Sequence, residues 1–157
     1  MKEDNFTYEH LKKFKYIDCV QKEVTRIFGP LNMTMFRYVI KDHLFRGIPI
    51  YRGTNMHHQA VPIHFSSEHY KDPWEFKPDR WLNECSSMPP FTLVGFGGGA
   101  RTCIGKNLAT LQAKIGLIKF LKRYEKIELT TKEIELVMRL TYQPKSYTSR
   151  LTRAARE

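Results

Sequence analysis

This sequence is short of cysteine, of acid and of long apolar runs, and each shortage removes a class of protein. Three cysteines, Cys19, Cys85 and Cys103, stand among 157 residues. They form no C-x-x-C pair, and an odd number without a secretory leader argues against a disulfide scaffold and for a reducing compartment. The six histidines, His10, His43, His57, His58, His64 and His69, show no ligand spacing, alone or with the cysteines, which sets a structural zinc site aside. No stretch approaches the roughly 18 apolar residues that span a bilayer, and the start MKEDNFTYEH is too polar for a secretory core. The chain alone is therefore expected to be soluble. Asp and Glu number 16 against 26 Lys and Arg, a balance of +10. So basic a chain points to an acidic protein, a nucleic acid or an anionic membrane surface, without choosing among them.

What is present is enough for one globular core. With 41% apolar residues in 157, a single domain over residues 1–157 is the expectation. The first element reads as one helix from about Thr7, a capping residue, to Phe28, stopped by Gly29-Pro30. Ile17, Val20, Val24 and Ile27 give it a buried stripe at helical spacing. Glu23 and Arg26 flank that stripe three residues apart, so alone they read as an exposed ion pair worth about 0.2–0.5 kcal/mol. A third partner would make them a buried lock.

From Thr34 to Ile63 short β-prone runs alternate with turn residues. MTMFRYVI and Asn55 to His64 are the two strands expected, with Tyr51 to Asn55 as the turn and Pro49 and Pro62 confining them to edges or ends. Arg37 lies in the first of them among apolar neighbours, where a cation either snorkels to water or holds an anion. His57 and His58 are adjacent, so in a strand they face opposite ways. Residues 65 to 90, with Trp74, Phe76 and Trp81, read as a packed irregular loop. It contains the cluster F-K-P-D-R-W, whose plainest reading is a turn with a surface Asp79-Arg80 pair.

The chemically specific stretch is PFTLVGFGGGARTCIGK, Pro90 to Lys106. Gly97, Gly98 and Gly99 let the backbone take crowded conformations and pass close to a flat ligand. Leu108, Leu111, Ile115, Ile118 and Leu121 then recur at helical spacing, giving a helix of roughly Asn107 to Tyr124. Cys103 thus stands just before a helix N-terminus, with Arg101 beside it, a setting that favours an anionic sulfur. A thiolate is a soft, electron-rich metal ligand. Beyond the helix, Ile127 to Leu129, Leu136 to Tyr142 and Pro144 to Leu151 read as strands, the last two as a closing hairpin before a frayed tail TRAARE.

Phe96, Gly99, Arg101, Cys103 and Gly105, spaced F-x-x-G-x-R-x-C-x-G, resemble the haem-binding loop of the cytochrome P450 family. Glu23-Val24-Thr25-Arg26 resembles that family's E-x-x-R helix, and Phe76 to Trp81 its P-E-R-F segment, in the same order. Gly47 to Thr54 looks like its strand-turn-strand. The resemblance implies haem b with Cys103 as axial iron ligand, electron donation from sulfur favouring O–O cleavage. It implies that Glu23, Arg26 and Arg80 form a buried triad behind the loop, that Arg37 and Arg101 pair with haem propionates, and that Phe96 shields the sulfur. The backbone of Gly97, Gly99 and Gly105 would line the same group. Ala100, Asp79 and Gln112 depart from the pattern, where proline, glutamate and glutamate are usual.

By that resemblance the fold is mainly α with small antiparallel β-sheets, the C-terminal, haem-proximal part of the P450 fold. The activity implied is monooxygenation of an apolar small molecule with electrons from a reductase. An acidic donor would dock on Lys106, Lys114, Lys119, Lys122 and Arg123, on and near the helix after the cysteine; a solvated polar face is the plainer reading of the same residues. Neither the family's A-G-x-[DE]-[TS] run nor its W-x-x-x-R segment occurs. Met1 stands almost at the E-x-x-R helix, so a fragment not competent alone is expected, on the cytoplasmic side. Attachment to the endoplasmic reticulum would come only through a missing anchor.

Two other classes compete. Gly105-Lys106 opens a helix as a phosphate loop does, but G-x-x-x-x-G-K-[ST] requires glycine at 100 and a hydroxyl at 107, where Ala100 and Asn107 stand. A basic nucleic-acid-binding domain would suit the charge and the 13% aromatic residues, but the cations are scattered and no finger or RNA-binding motif occurs.

Overall fold

A computed structural model describes residues 7–29, 35–83, 88–138 and 142–154. The chain opens with two helices where periodicity predicts one: α1, Tyr8–Lys12, and α2, Lys15–Phe28. The Thr7 hydroxyl caps α1 by accepting from the His10 N–H at 3.3 Å. The break at Lys13 and Phe14 has a packing cause. Leu11 and Ile17 both bury against Ile118, yet six residues apart on one straight helix they would point about 120° away from each other. The buried residues of α2 are Ile17, Cys19, Glu23 and Arg26. The expected apolar stripe is corrected in part: Ile17 is buried and Val20 and Ile27 are half-buried, but Val24 is 42% exposed, and the inward face also carries the charged Glu23 and Arg26.

Four two-stranded antiparallel sheets follow, none joined to another among the described residues. Strand β1, Met35–Tyr38, pairs with β4, Asn55–His58, with Arg37 opposite Met56. Between them lies the hairpin of β2, His43–Phe45, and β3, Ile48–Ile50. Its two-residue turn has φ of 50° at Arg46 and 82° at Gly47, the positive pair that suits the twist of a tight hairpin and favours glycine. The second run expected to be strand to His64 ends at His58. Val61–His64 is a short helix, α3, with Pro62 in its first turn, where a missing N–H costs nothing.

Residues 65–79 are irregular and packed, and α4 is a single turn, Arg80–Asn83. Cys85 lies outside the described residues. A short 3₁₀ turn, Gly99–Arg101, leads to α5, Lys106–Arg123. Strand β5, Tyr124–Leu129, pairs with β8, Ser149–Arg153, while β6, Leu136–Met138, pairs with β7, Tyr142–Pro144. The closing hairpin is thus β6 with β7, and the run expected as its second half returns to the strand after α5. Thr152 and Arg153 of the predicted frayed tail are paired, and residues 155–157 lie outside the description. Two small apolar clusters hold the whole: Leu11, Ile17 and Ile118 between α1, α2 and α5, and Cys19, Tyr70 and Trp81 behind α2. Among the described residues no helix is long and apolar enough to cross a membrane.

Candidate functional site

The charged face of α2 finds its partners in the loop after α3. Glu23 and Arg26, three residues apart on one side of the helix, meet as a forked pair: Nε and Nη2 of Arg26 donate to the two carboxylate oxygens at 3.0 and 2.8 Å. Arg80 Nε donates to Oε1 at 3.1 Å, the Trp81 indole to Oε2 at 2.9 Å and the Lys77 backbone N–H to Oε1 at 2.9 Å. Glu23 and Arg26 have no exposed surface. Burial alone would raise the Glu23 carboxyl; the bonds from Arg26, Lys77 and Trp81 outweigh it and hold the carboxyl below its ordinary value.

The remaining guanidinium N–H groups are spent on backbone. Arg26 Nη1 donates to the carbonyls of His64 and Pro73 at 2.8 and 2.6 Å, and Arg80 Nη1 and Nη2 to those of Lys71 and Asp72 at 2.6 and 3.1 Å. Two guanidinium groups thus act as the core around which residues 64–80 wind, with the Tyr70 ring packed against both. The surface Asp79-Arg80 pair suggested by the turn motif is replaced by this cluster. Asp79, shorter by one methylene than the usual glutamate, does not keep Arg80 from Glu23.

The cysteine loop is fixed to the same support at its start. The Val94 N–H donates to His64 Nε2 at 3.1 Å. Gly95 passes so close to α2 that a Cβ there would come within 2.3 Å of Thr25 Cγ2. The loop then turns, Gly97 N–H to Val94 carbonyl at 2.8 Å, with positive φ at Gly97 and Gly99, which is what glycine permits there. Phe96 and Cys103 are brought together, the Cys103 N–H donating to the Phe96 carbonyl at 2.9 Å. A Cβ on Gly105 would lie 3.8 Å from Cys103 Sγ.

Cys103 is exposed, three residues before α5. So are Ile104 beside it, Leu108 in the first turn of α5, and Phe91, whose ring lies against Gly98. Arg101 is exposed on the 3₁₀ turn, and Arg37 is exposed on β1 with one N–H to the Phe36 carbonyl at 2.9 Å. No group of three His, Cys, Asp or Glu side chains able to hold a metal occurs among the described residues.

Two findings stand apart from the sequence reading. Lys114 was expected on an exposed docking face but is 6% exposed, its Nζ 2.6 and 2.8 Å from the Asp18 carboxylate oxygens. It ties α5 to α2 and is removed from the docking set. His64, one of the histidines without ligand spacing, is fully buried at the centre of the support. Its position at the end of the apolar run Ala60 to Ile63 is the only local hint of this; its partners lie 38 and 30 residues away.

Comparison with known proteins places this geometry. The Cytochrome P450 family model matches residues 1–149. A putative cytochrome P450 120 of Synechocystis is 35% identical over 141 residues, covering 88% of this chain and 32% of that protein. Cytochrome P450 716A2 of Arabidopsis thaliana is 35% identical over 134 residues, covering 85% and 28%. Among solved structures, a cyanobacterial CYP120A1 described as retinoic acid bound superposes with a TM-score of 0.87 at 31% identity, over 98% of this chain and 36% of that one. The P450DA haem domain, at 22% identity and a TM-score of 0.85, shares the fold. The chain spans about a third of the length of the relatives it matches. From the family model, the identities and these superpositions together, the chain belongs to the cytochrome P450 family and has the C-terminal, haem-proximal part of its fold.

Proposed function

We propose that this chain supplies the proximal, sulfur-ligating side of a haem-thiolate monooxygenase, with Cys103 as the iron ligand. The observation that carries this is an exposed Cys103 on a loop whose start is bonded to His64, itself bonded to Arg26 of the buried Glu23–Arg26–Arg80 cluster. The residues present fit the group. A soft sulfur donor is presented outward on a segment whose apolar Phe91, Ile104 and Leu108 are exposed, and Arg101 and Arg37 are exposed cations, a set that suits a flat apolar macrocycle with acidic edges. When bound, the haem iron supplies the dioxygen chemistry of the family, tuned by electron donation from the thiolate.

The chain's own residues would bind and orient. Cys103 would hold the iron, and Phe96 would cover the sulfur, its carbonyl fixing the Cys103 N–H. Gly97, Gly99 and Gly105 would keep side chains out of the macrocycle's path, and Arg101 and Arg37 would take the propionates. Glu23, Arg26 and Arg80 touch none of these atoms and would act only by holding the loop. The substrate would be an apolar small molecule and the electron donor an acidic reductase facing Lys106, Lys119, Lys122 and Arg123, all exposed. The nucleotide and nucleic-acid alternatives are not favoured by family membership.

The test is the absorption spectrum of the reduced, carbon monoxide-bound protein after reconstitution with haem. The thiolate-type, red-shifted Soret band is expected, and Cys103→Ser is expected to abolish it while leaving the far-ultraviolet circular dichroism unchanged. A band that persists in Cys103→Ser refutes the assignment.

A further inference from the structure

The arginine cluster secures residues 64–80, but the bond that reaches the cysteine loop is made by an imidazole. His64 sits at the end of α3 with no exposed surface. Its Nδ1 is 3.0 Å from the Arg26 carbonyl oxygen, and its Nε2 is 3.1 Å from the Val94 backbone nitrogen. The Arg26 carbonyl lies in the last turn of α2, where carbonyls lack partners within the helix. These contacts demand opposite states of the two ring nitrogens. A carbonyl only accepts, so Nδ1 carries the proton; a backbone N–H only donates, so Nε2 is bare. Only the neutral Nδ1–H tautomer makes both bonds. An imidazolium would set one N–H against another, in a place without solvent.

We infer that His64 is a positioning residue for the cysteine loop: as the neutral Nδ1–H tautomer it clamps the loop's start at Val94 to the end of α2, and a second proton releases the clamp. The link to Cys103, nine residues further on, rests on the haem-thiolate reading; the clamp itself does not.

The surroundings oppose that proton. Burial is the strongest influence, the bond to the Arg26 carbonyl works the other way, and the Arg26 guanidinium on α2 and His58 on β4 add repulsion, leaving His64 at about 4 instead of 6.5. Glu23 on α2 faces the ring only through Arg26, to which it is paired, and the loop segment contributes the uncharged backbone of Val94. Since the folded value lies below the ordinary one, the clamp's contribution is complete above pH 6.5 and is lost as pH falls towards 4.

Three forms of the 157-residue chain separate the outcomes: wild type, His64→Gln and His64→Leu. Imidazole ¹⁵N spectra of wild type are expected to show Nδ1 protonated, Nε2 bare, and no titration between about pH 7 and pH 5.5. The Val94 amide is expected to exchange about tenfold faster in His64→Leu, while His64→Gln, whose side-chain oxygen can still accept, keeps most of the protection. After haem reconstitution, the thiolate-type carbon monoxide band of wild type is expected to fade in acid, and that of His64→Gln to lose this pH step. An Nε2–H tautomer, titration near 6.5, or equal Val94 exchange in His64→Leu overturns the inference. Should His64→Leu not fold, the tautomer and the pH profile of His64→Gln decide. A wild-type chain that shows the expected tautomer and Val94 protection but no thiolate band refutes the haem reading and leaves the clamp standing.

Discussion

Glu23 has no exposed surface and accepts five hydrogen bonds, two from Arg26 and one each from Lys77, Arg80 and Trp81. A carboxylate so enclosed is tolerable only because each oxygen is satisfied and two cations neighbour it. Removing it strands both guanidinium groups in a place without water. Glu23→Ala is therefore expected to cost about 3–5 kcal/mol, measured by urea denaturation. The same substitution at Glu9, whose pair with Lys12 is exposed, is expected to cost no more than about 0.5 kcal/mol. Equal losses at the two sites would show that the cluster's enclosure contributes nothing. Trp81 belongs to this argument too: its aromatic bulk announces packing, while its N–H on Glu23 cannot be read from bulk.

At the scale of elements, the loop and α2 approach each other at Gly95, where any β-carbon would strike the Thr25 methyl. Gly95→Ala is expected to destabilise by about 1–3 kcal/mol. Thr25→Ser removes that methyl and keeps the hydroxyl that bonds the Gln21 carbonyl at 2.8 Å. A double-mutant cycle with Gly95→Ala should therefore recover most of the loss; additive costs would disprove the contact. Much of this arrangement was legible before the structure. The E-x-x-R spacing put Glu23 and Arg26 on one face, and the glycines and apolar periodicity located the loop and α5 to within a residue. The illegible parts depend on distant partners. Lys114 looked like surface because lysine usually is, and Asp18, which buries it, stands 96 residues away. Val24 looked like core because the inward face of a helix is usually apolar. The strand expected at Val61 became a helix because Pro62 suits a first turn better than a ladder.

Over the whole molecule the excess positive charge divides into two kinds. Arg26, Arg80 and Lys114 are buried and committed to internal partners, while Lys106, Lys119 and Arg123 face solvent. Only the second kind can steer an acidic electron donor, and such steering weakens as salt rises. Lys119→Glu is expected to lower the affinity for a reductase severalfold at low ionic strength and to leave the urea midpoint nearly unchanged, by titration calorimetry and denaturation. Lys114→Glu should do the reverse, since it would place a carboxylate against Asp18. A Lys119→Glu chain that binds with unaltered salt dependence would remove α5 from the proposed docking surface.

The distance along the chain between the members of the arginine cluster matters for how the protein is made. Glu23 leaves the ribosome 57 residues ahead of Arg80 and 58 ahead of Trp81, with Arg26 close behind it. Closing a loop of that length costs on the order of 3.5 kcal/mol in chain entropy beyond a constant. Until the later residues emerge, α2 carries a wetted, charged surface where its interior will be. A newborn helix of this kind has little reason to stick to its neighbours, and it acquires an inside only when Arg80 and Trp81 arrive.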